Sequence, residues 1–268
     1  MLIRIGYDLI FEFPAPTPML LMLYVHPSRE RDLQQPEFLN FFPYVPVETF
    51  IDGWGNKAGR IVAPAGQLRI THNAIIRDSG QPDVPGLNAF QHPVEQLLTS
   101  MLPLLLSSRY CEVDKLTTFA WEHFGNTPLG WPRVQAVVNW VHNHITFGYR
   151  FADATKSAYD VFYDRQGVCR DFMHLSVALL RALSIPTRYV TGYLGDIGVP
   201  AVPDPMDFSA WFEVYLGGQW WTCDARHNKP RIGRVLMATG RDASDVALTT
   251  SFGPHILRQF HVITDEIK

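Results

Sequence analysis

Cys169 is the residue whose position in the sequence most strongly indicates chemistry. It follows Gly167-Val168 and precedes an apolar stretch, residues 170–180, with the pattern of a buried amphipathic helix. A thiol in the first turn of a helix lies at the positive end of the helix dipole, which lowers its pKa and favours the nucleophilic thiolate. We therefore predict a reactive thiol at Cys169. The competing interpretation is a buried structural cysteine.

A predicted hairpin further along the chain supplies groups that could assist this thiol. Gly217-Gly218 suits a two-residue turn between strands. Counting outward from the turn sets Trp211 opposite Asp224, and alternation places Ser209 on the same face as Asp224. We predict that Asp224 orients a base at position 209. The alternative is a structural carboxylate at the end of the strand, paired with Arg226 or another cation.

The residue at that base position is a serine. A histidine at 209 could donate one ring N–H to Asp224 and present its other nitrogen to the thiol. The Ser209 hydroxyl has no useful basicity near neutral pH and cannot act as the proton acceptor. His227 is the candidate substitute base, although alternation turns it away from Asp224 unless the strand ends or bulges before it.

Three aromatic residues are candidates for the walls of a groove. Besides the backbone N–H of Cys169, an oxyanion at the thiol would need a second donor. Tyr159, Tyr163 and Trp211 are the candidates for that role, against the alternative that such aromatic side chains belong to the core. No metal-ligand pattern appears in the sequence, and we expect neither a metal nor another cofactor.

The composition narrows the class of protein. The 268 residues carry a net charge of −3, which gives no electrostatic reason to expect nucleic acid or an anionic membrane as a partner. Charges at Arg4, Asp8 and Glu12 argue against a signal peptide, and no apolar stretch approaches a membrane span. The three cysteines lack a Cys-x-x-Cys spacing, so we expect a cytoplasmic protein in which Cys111 and Cys223 are structural.

The elements that must position these residues change in character along the chain. Residues 1–105 alternate apolar and polar side chains between turn signals, which predicts an antiparallel β-sandwich-like domain. Residues 106–268 predict an α+β domain, with helices placed before a small sheet. A short helix is expected over Thr155 to Arg165, with Gly167 as its left-handed stop. The helix that begins at Cys169 should end before Pro186.

Four segments resemble the bacterial transglutaminase-like superfamily, whose members include proteins assigned as cysteine proteases with a papain-like core. They are Gly167-Val168-Cys169-Arg170-Asp171, residues 183–194, Ala210-Trp211-Phe212-Glu213-Val214-Tyr215-Leu216 and Trp220-Trp221-Thr222-Cys223-Asp224. The resemblance is specific over residues 150–226. The β-rich N-terminal half and residues 231–254 are similar to the domains that accompany this core in one bacterial subfamily.

The resemblance implies a function for the predicted site. Cys169 would attack an amide carbonyl to form a thioester, and Asp224 would orient the base, whose usual histidine position is Ser209 here. The expected substrate is a peptide or protein amide, cleaved by hydrolysis or by acyl transfer. The alternative is a catalytically impaired pseudoenzyme that binds a peptide or protein partner in the retained groove.

Overall fold

The computed structural model of the protein describes residues 1–202 and 206–267. The α-helices are α1 (Val113–Phe124), α2 (Trp131–His144), α3 (Ala158–Asp164) and α4 (Cys169–Ala182). The strands are β1 (Leu2–Phe13), β2 (Thr17–Leu21), β3 (Asn40–Phe42), β4 (Glu48–Ile51), β5 (Lys57–Ala63), β6 (Gly66–Arg77), β7 (Thr146–Phe147), β8 (Gln166–Gly167), β9 (Thr187–Tyr193), β10 (Ser209–Leu216), β11 (Gln219–Cys223), β12 (Val235–Gly240), β13 (Thr249–Ser251) and β14 (Ile256–Ile267).

Two four-stranded antiparallel sheets form the β-rich part of the molecule. Their strand orders are β14-β1-β6-β3 and β13-β2-β5-β4. In β1 the side chains of Ile3 and Ile5 are buried and that of Arg4 is exposed, as the alternation predicts. Apolar side chains of both sheets belong to one buried cluster. The predicted antiparallel β-sandwich-like architecture is confirmed.

The last two strands return to these sheets. β13 pairs with β2, and β14 pairs with β1 along nearly its whole length, from Leu2 opposite Ile267 to Glu12 opposite Ile256. Val262 of β14 is buried in the cluster of the β-rich part. This pairing covers an edge of β1 that would otherwise expose unpaired backbone groups. The predicted division into residues 1–105 and 106–268 therefore separates these two strands from the sheets that they complete.

The remaining residues form an α+β core, as predicted. Its sheet has the strand order β11-β10-β9-β12, and α4 packs against β9 and β10 while α1, α2 and α3 contact α4. Every residue of α4 from Asp171 to Ala182 is buried, so this helix is the centre of the core. Within residues 1–202 and 206–267, no helix has the length and apolar character that a membrane span requires.

The start of α4 is fixed by a side-chain cap. The backbone N–H of Val168 donates to Asp171 Oδ2 at 2.8 Å, which satisfies a donor at the helix N-terminus. A Cβ on Gly167 would lie 2.6 Å from the Cβ of Asp171, so only glycine allows this close approach. Cys169 is the first residue of the helix, as predicted.

The helix before Cys169 differs from its prediction. α3 is shorter than the expected Thr155 to Arg165, because Ser157 caps it by accepting a hydrogen bond from the Asp160 backbone N–H. Arg165, with φ 55°, is its left-handed stop. The assignment of that role to Gly167 was wrong, since Gly167 is required by its contact with Asp171 instead.

The predicted hairpin register is confirmed for five residue pairs, from Leu216 opposite Gln219 to Phe212 opposite Cys223. β11 ends at Cys223, so the pairing of Trp211 with Asp224 that the register predicted is not formed. Beyond the strand, the backbone N–H of Asn228 donates to Asp224 O at 2.8 Å and closes a turn. This turn decides where the side chain of His227 lies.

Candidate active site

The turn after β11 brings His227 to Asp224. His227 Nδ1 lies 2.8 Å from Asp224 Oδ2, and the His227 backbone N–H donates to Oδ1 at 3.0 Å. The strand ends before His227, which is the condition under which the sequence allowed this histidine to serve as the base. The side chain of Asp224 is 3% exposed and that of His227 is 19% exposed, so the imidazole is the more accessible of the two.

The environment of Asp224 fixes the roles of the two ring nitrogens. Burial acts to raise the pKa of Asp224, but the hydrogen bond from His227 and the charge of Arg234 outweigh it and hold that pKa below its usual range. Arg234 Nη2 donates to Asp224 Oδ2 at 2.9 Å. Because an ionised carboxylate can only accept, His227 Nδ1 is the donor, and Nε2 of the neutral ring is left as an acceptor.

Two cavities meet at Cys169. The His227 cavity has a volume of about 300 Å³, and its walls include Cys169, Ser209, Arg226, His227, Lys229 and Arg231. The Phe260 cavity has a volume of about 520 Å³, and its walls include Cys169, Tyr189, Ser209, Ala243, Leu248 and Phe260. The thiol, the serine at the expected base position and the candidate substitute base are therefore brought together.

The pKa of Cys169 is shifted in the opposite direction to the sequence prediction. Burial raises the pKa of this thiol, and Asp207 also acts to raise it. The charge of Arg226 and the backbone amides of Ala210 and Arg170 act to lower it but do not compensate. The predicted position of Cys169 at the helix N-terminus was correct. Desolvation of the thiol, which the sequence does not show, has a larger effect on its pKa than the helix dipole. Ionisation of Cys169 at neutral pH therefore requires a proton acceptor.

Comparison with known proteins shows the family of this chain. The profile of the transglutaminase-like superfamily matches residues 121–225, which include Cys169, Ser209 and Asp224. A crystal structure described as a putative cysteine protease from Cytophaga hutchinsonii is 31% identical, with a TM-score of 0.86 over 100% of this chain and 91% of that chain. The chain belongs to the transglutaminase-like superfamily.

Mycobacterial proteins are also similar to this transglutaminase-like chain. An uncharacterized protein of Mycobacterium leprae is 25% identical over 204 residues, which are 74% of this chain and 73% of that protein. An uncharacterized protein of Mycobacterium tuberculosis is 27% identical over 216 residues, which are 73% of this chain and 68% of that protein. The similarity thus extends well beyond the segment that the superfamily profile matches.

Ser209 occupies the first position of β10 in the transglutaminase-like core. Its side chain is buried, and its Oγ has no hydrogen-bond partner within residues 1–202 and 206–267. An unpaired buried hydroxyl costs free energy unless a substrate or a water satisfies it. Ser209 therefore borders both cavities without taking part in the hydrogen bonds that join His227 to Asp224.

The predicted groove aromatics do not border the two cavities that meet at Cys169. Tyr159 and Tyr163 pack on each other on α3, with ring centroids 5.0 Å apart, and Lys115 of α1 lies over the Tyr159 ring. Trp211 is buried, and its ring is covered by the guanidinium of Arg234. None of the three lines the His227 cavity or the Phe260 cavity, so the core interpretation fits Trp211 and a helix-surface position fits the two tyrosines.

The other two cysteines lie in the interior of the core. Cys111 and Cys223 are both free and buried. Burial raises the pKa of Cys111 to about 12, which keeps this thiol protonated at physiological pH. Both residues belong to the apolar cluster of the core. Of the three cysteines, Cys169 is the one that borders the His227 cavity and the Phe260 cavity.

Two residues of the site had no signal in the sequence. Arg234 Nη2 donates a hydrogen bond to Asp224 Oδ2. Arg234 Nε donates a second one to Asp83 Oδ2 at 2.9 Å. Arg234 lies in residues 231–254, a stretch that is marked in the sequence only by its resemblance to one bacterial subfamily. Asp83 lies in the segment between β6 and α1, far from Asp224 in the sequence. No periodicity or spacing could have connected these residues to Asp224.

Proposed function

We propose that this protein cleaves amide bonds by thiol catalysis, with Cys169 as the nucleophile, His227 as the base and Asp224 as the residue that orients the base. The observation that carries the proposal is that His227, bonded through Nδ1 to Asp224, shares a cavity with Cys169. The function of the missing histidine at position 209 is supplied from the turn after β11. Nucleophile, base and orienting carboxylate form the arrangement that acyl-transfer enzymes use on unrelated folds.

The proposed reaction has two steps, acylation of the thiol and hydrolysis of the thioester. In the first, His227 Nε2 takes the proton of the Cys169 thiol as Sγ attacks the carbonyl carbon, a C–S bond forms, and the C–N bond breaks as the imidazolium protonates the leaving amine. In the second, His227 deprotonates a water that attacks the thioester, which releases the acid and restores the thiol. A primary amine in place of water would give acyl transfer by the same steps.

The N-terminus of α4 is the proposed site for the oxyanion. The first backbone N–H groups of a helix have no intrahelical acceptor and lie at the positive end of its dipole. The N–H of Cys169 belongs to this first turn. Negative charge that develops on the carbonyl oxygen would be stabilised there at little cost in reorganisation.

A peptide or protein amide is the proposed substrate. The similar protein from Cytophaga hutchinsonii is described as a cysteine protease, which supports this class. The Phe260 cavity, about 520 Å³ in volume and bordered by Ala243, Leu248 and Phe260, offers room for a side chain next to the scissile bond. Its apolar walls favour an apolar side chain there.

The first test is the pH dependence of iodoacetamide alkylation at each cysteine of the full chain, followed by mass spectrometry. We expect Cys169 to react with an acid-side midpoint well below the ordinary thiol range of about 8.5, because His227 takes the proton of the thiol. In His227→Gln this acid-side midpoint should disappear, leaving only thiol ionisation at high pH. The matched control is His123→Gln, an exposed histidine on α1, which should leave the profile unchanged.

Cleavage is measured in parallel as the release of new amines from unfolded casein. His227→Gln should lower the rate by about 10³-fold, as the loss of a member of such a unit does. An alkylation profile that is identical in the wild type and in His227→Gln would contradict the proposal.

A binding function is the second candidate, because burial raises the pKa of Cys169 and a serine stands at position 209. It predicts that wild-type protein retains an unfolded peptide without releasing amines, at a rate of cleavage indistinguishable from that of Cys169→Ala. Turnover that depends on Cys169 would exclude this candidate.

A further inference from the structure

The hydrogen bonds behind His227 do not end at Asp224. Asp224 Oδ2 accepts from both His227 Nδ1, at 2.8 Å, and Arg234 Nη2, at 2.9 Å. The same guanidinium donates through Nε to Asp83 Oδ2 at 2.9 Å. Four side chains of alternating charge thus form one row: His227, Asp224, Arg234 and Asp83.

These charges are largely withdrawn from water. The side chain of Arg234 is 7% exposed and that of Asp83 is 19% exposed. The guanidinium is also held over the ring of Trp211, with Cζ 5.1 Å from the ring centroid. Because charges in such surroundings are weakly screened, a change at one end of the row is felt at the other.

Asp83 also holds the backbone beside Arg234. Its Oδ2 accepts from the Arg231 backbone N–H at 3.0 Å, and its own N–H donates to Arg231 O at 2.9 Å. The segment between β6 and α1 is therefore fastened to the segment that carries Arg234. The position of the guanidinium relative to Asp224 depends on both contacts.

We propose that Arg234 and Asp83 are a positioning pair that sets the basicity of His227 through Asp224, an inference that rests on the proposed function of His227. The two members act in opposite directions. Arg234 shares the oxygen that bonds the imidazole, so its charge weakens the stabilisation that Asp224 gives to an imidazolium. Asp83 draws the guanidinium toward itself and partly neutralises it, which restores that stabilisation.

Other charged groups also face the imidazole, and neither Arg234→Gln nor Asp83→Asn replaces any of them. The cations and anions that border the His227 cavity are Arg226, Lys229, Arg231, Asp196 and Asp207, with the thiol of Cys169. The variants leave the charge of each of these groups in place, and we therefore assign a shift that changes sign between Arg234→Gln and Asp83→Asn to the charges of the pair itself.

The test measures the acid-side midpoint of Cys169 alkylation by iodoacetamide in Arg234→Gln and Asp83→Asn. We expect Arg234→Gln to move the midpoint up by about one pH unit, because the imidazolium is then better stabilised. We expect Asp83→Asn to move it down by about half a unit, because the guanidinium is then uncompensated. Glu95→Gln is the matched control: it removes an exposed carboxylate on the same segment between β6 and α1, and no midpoint shift is expected.

The outcomes separate this inference from the proposed function. If the wild type shows a midpoint that His227→Gln abolishes, and both variants leave it in place or shift it in the same direction, the positioning pair is refuted and the function of His227 stands. If the wild type shows no His227-dependent midpoint, both fail. Asp83→Asn is nearly isosteric, so the test remains decisive even if Arg234→Gln does not fold. In that case a downward shift of the midpoint in Asp83→Asn supports the positioning pair, and an unchanged midpoint refutes it.

Discussion

Two histidines of this molecule face buried carboxylates, one in the β-rich part and one in the core. In the β-rich part His72 Nε2 lies 3.1 Å from Glu37 Oε1, and both side chains are 1% exposed. In the core His227 Nδ1 lies 2.8 Å from Asp224 Oδ2. The chemical groups are the same in kind, and only the second pair has the surroundings of an active site.

The difference lies in what the other ring nitrogen meets. His72 Nδ1 lies 3.4 Å from the hydroxyl of Tyr193, and the ring stacks on Tyr7 with centroids 5.3 Å apart. Glu37 is occupied as well, since both of its oxygens accept from the Val25 backbone N–H. His72 therefore has protein oxygen atoms at both nitrogens and borders neither cavity.

No residue within 1–202 and 206–267 hydrogen-bonds His227 Nε2, and the cavity of this histidine contains a thiol. A carboxylate partner is thus insufficient to make a histidine a catalytic base. An accessible second nitrogen and a nearby proton donor decide between structure and catalysis. This contrast predicts that equivalent substitutions in the two pairs have different consequences.

The largest expected effect is on cleavage after Asp224→Asn. The amide preserves the shape of the side chain but does not hold an imidazolium, so we expect the rate to fall by about 10³- to 10⁴-fold. Glu37→Gln should leave the rate per folded molecule unchanged. Amine release, normalised to the folded fraction from circular dichroism, measures both. Equal losses in the two variants would remove the distinction between the pairs.

The next effect is on stability, and it should be large in the β-rich part and small at the candidate active site. Glu37→Gln removes a buried charge partner of His72 and an acceptor of the Val25 backbone N–H, so we expect the free energy of unfolding to fall by about 2–3 kcal/mol. Ser209→Ala, which removes a buried hydroxyl without a partner in the described residues, should change it by less than about 1 kcal/mol. Urea denaturation of each variant tests this. A loss at Ser209→Ala as large as that at Glu37→Gln would contradict it.

The smallest effect is expected from Ser209→His. Because His227 is the proposed base, we expect the cleavage rate to change by less than about threefold in the wild-type background. Combined with His227→Gln, the new histidine should recover at least about tenfold of the lost rate. A steep gain in the wild-type background would mean that His227 is not the working base.

The parts of the fold that depend on local pattern could be predicted from the sequence. Alternation in β1, the helix that starts at Cys169 and the register around Gly217-Gly218 each depend on neighbouring residues, and the structure contains all three. The pairing of β14 with β1 has no local signal, because the two strands lie at opposite ends of the sequence. The local sequence of each one indicates a strand but not its partner.

The site was predictable to the same extent. Cys169 and Asp224 are marked by their own segments, whereas the approach of His227 depends on the point at which β11 ends. One residue more or less of strand would turn the imidazole to the other face. The desolvation of Cys169 arises from segments that fold over it, and therefore the dipole argument alone gave the wrong direction for its pKa.

The pairing of β14 with β1 has a consequence for how the protein is made. A ribosome delivers β1 first, and that strand must wait for nearly the whole chain before its edge partner, Ile256–Ile267, emerges. Phe260 of that late strand also borders the cavity beside Cys169. The pocket beside Cys169 is therefore completed only when Phe260 has been synthesised and β14 has paired with β1.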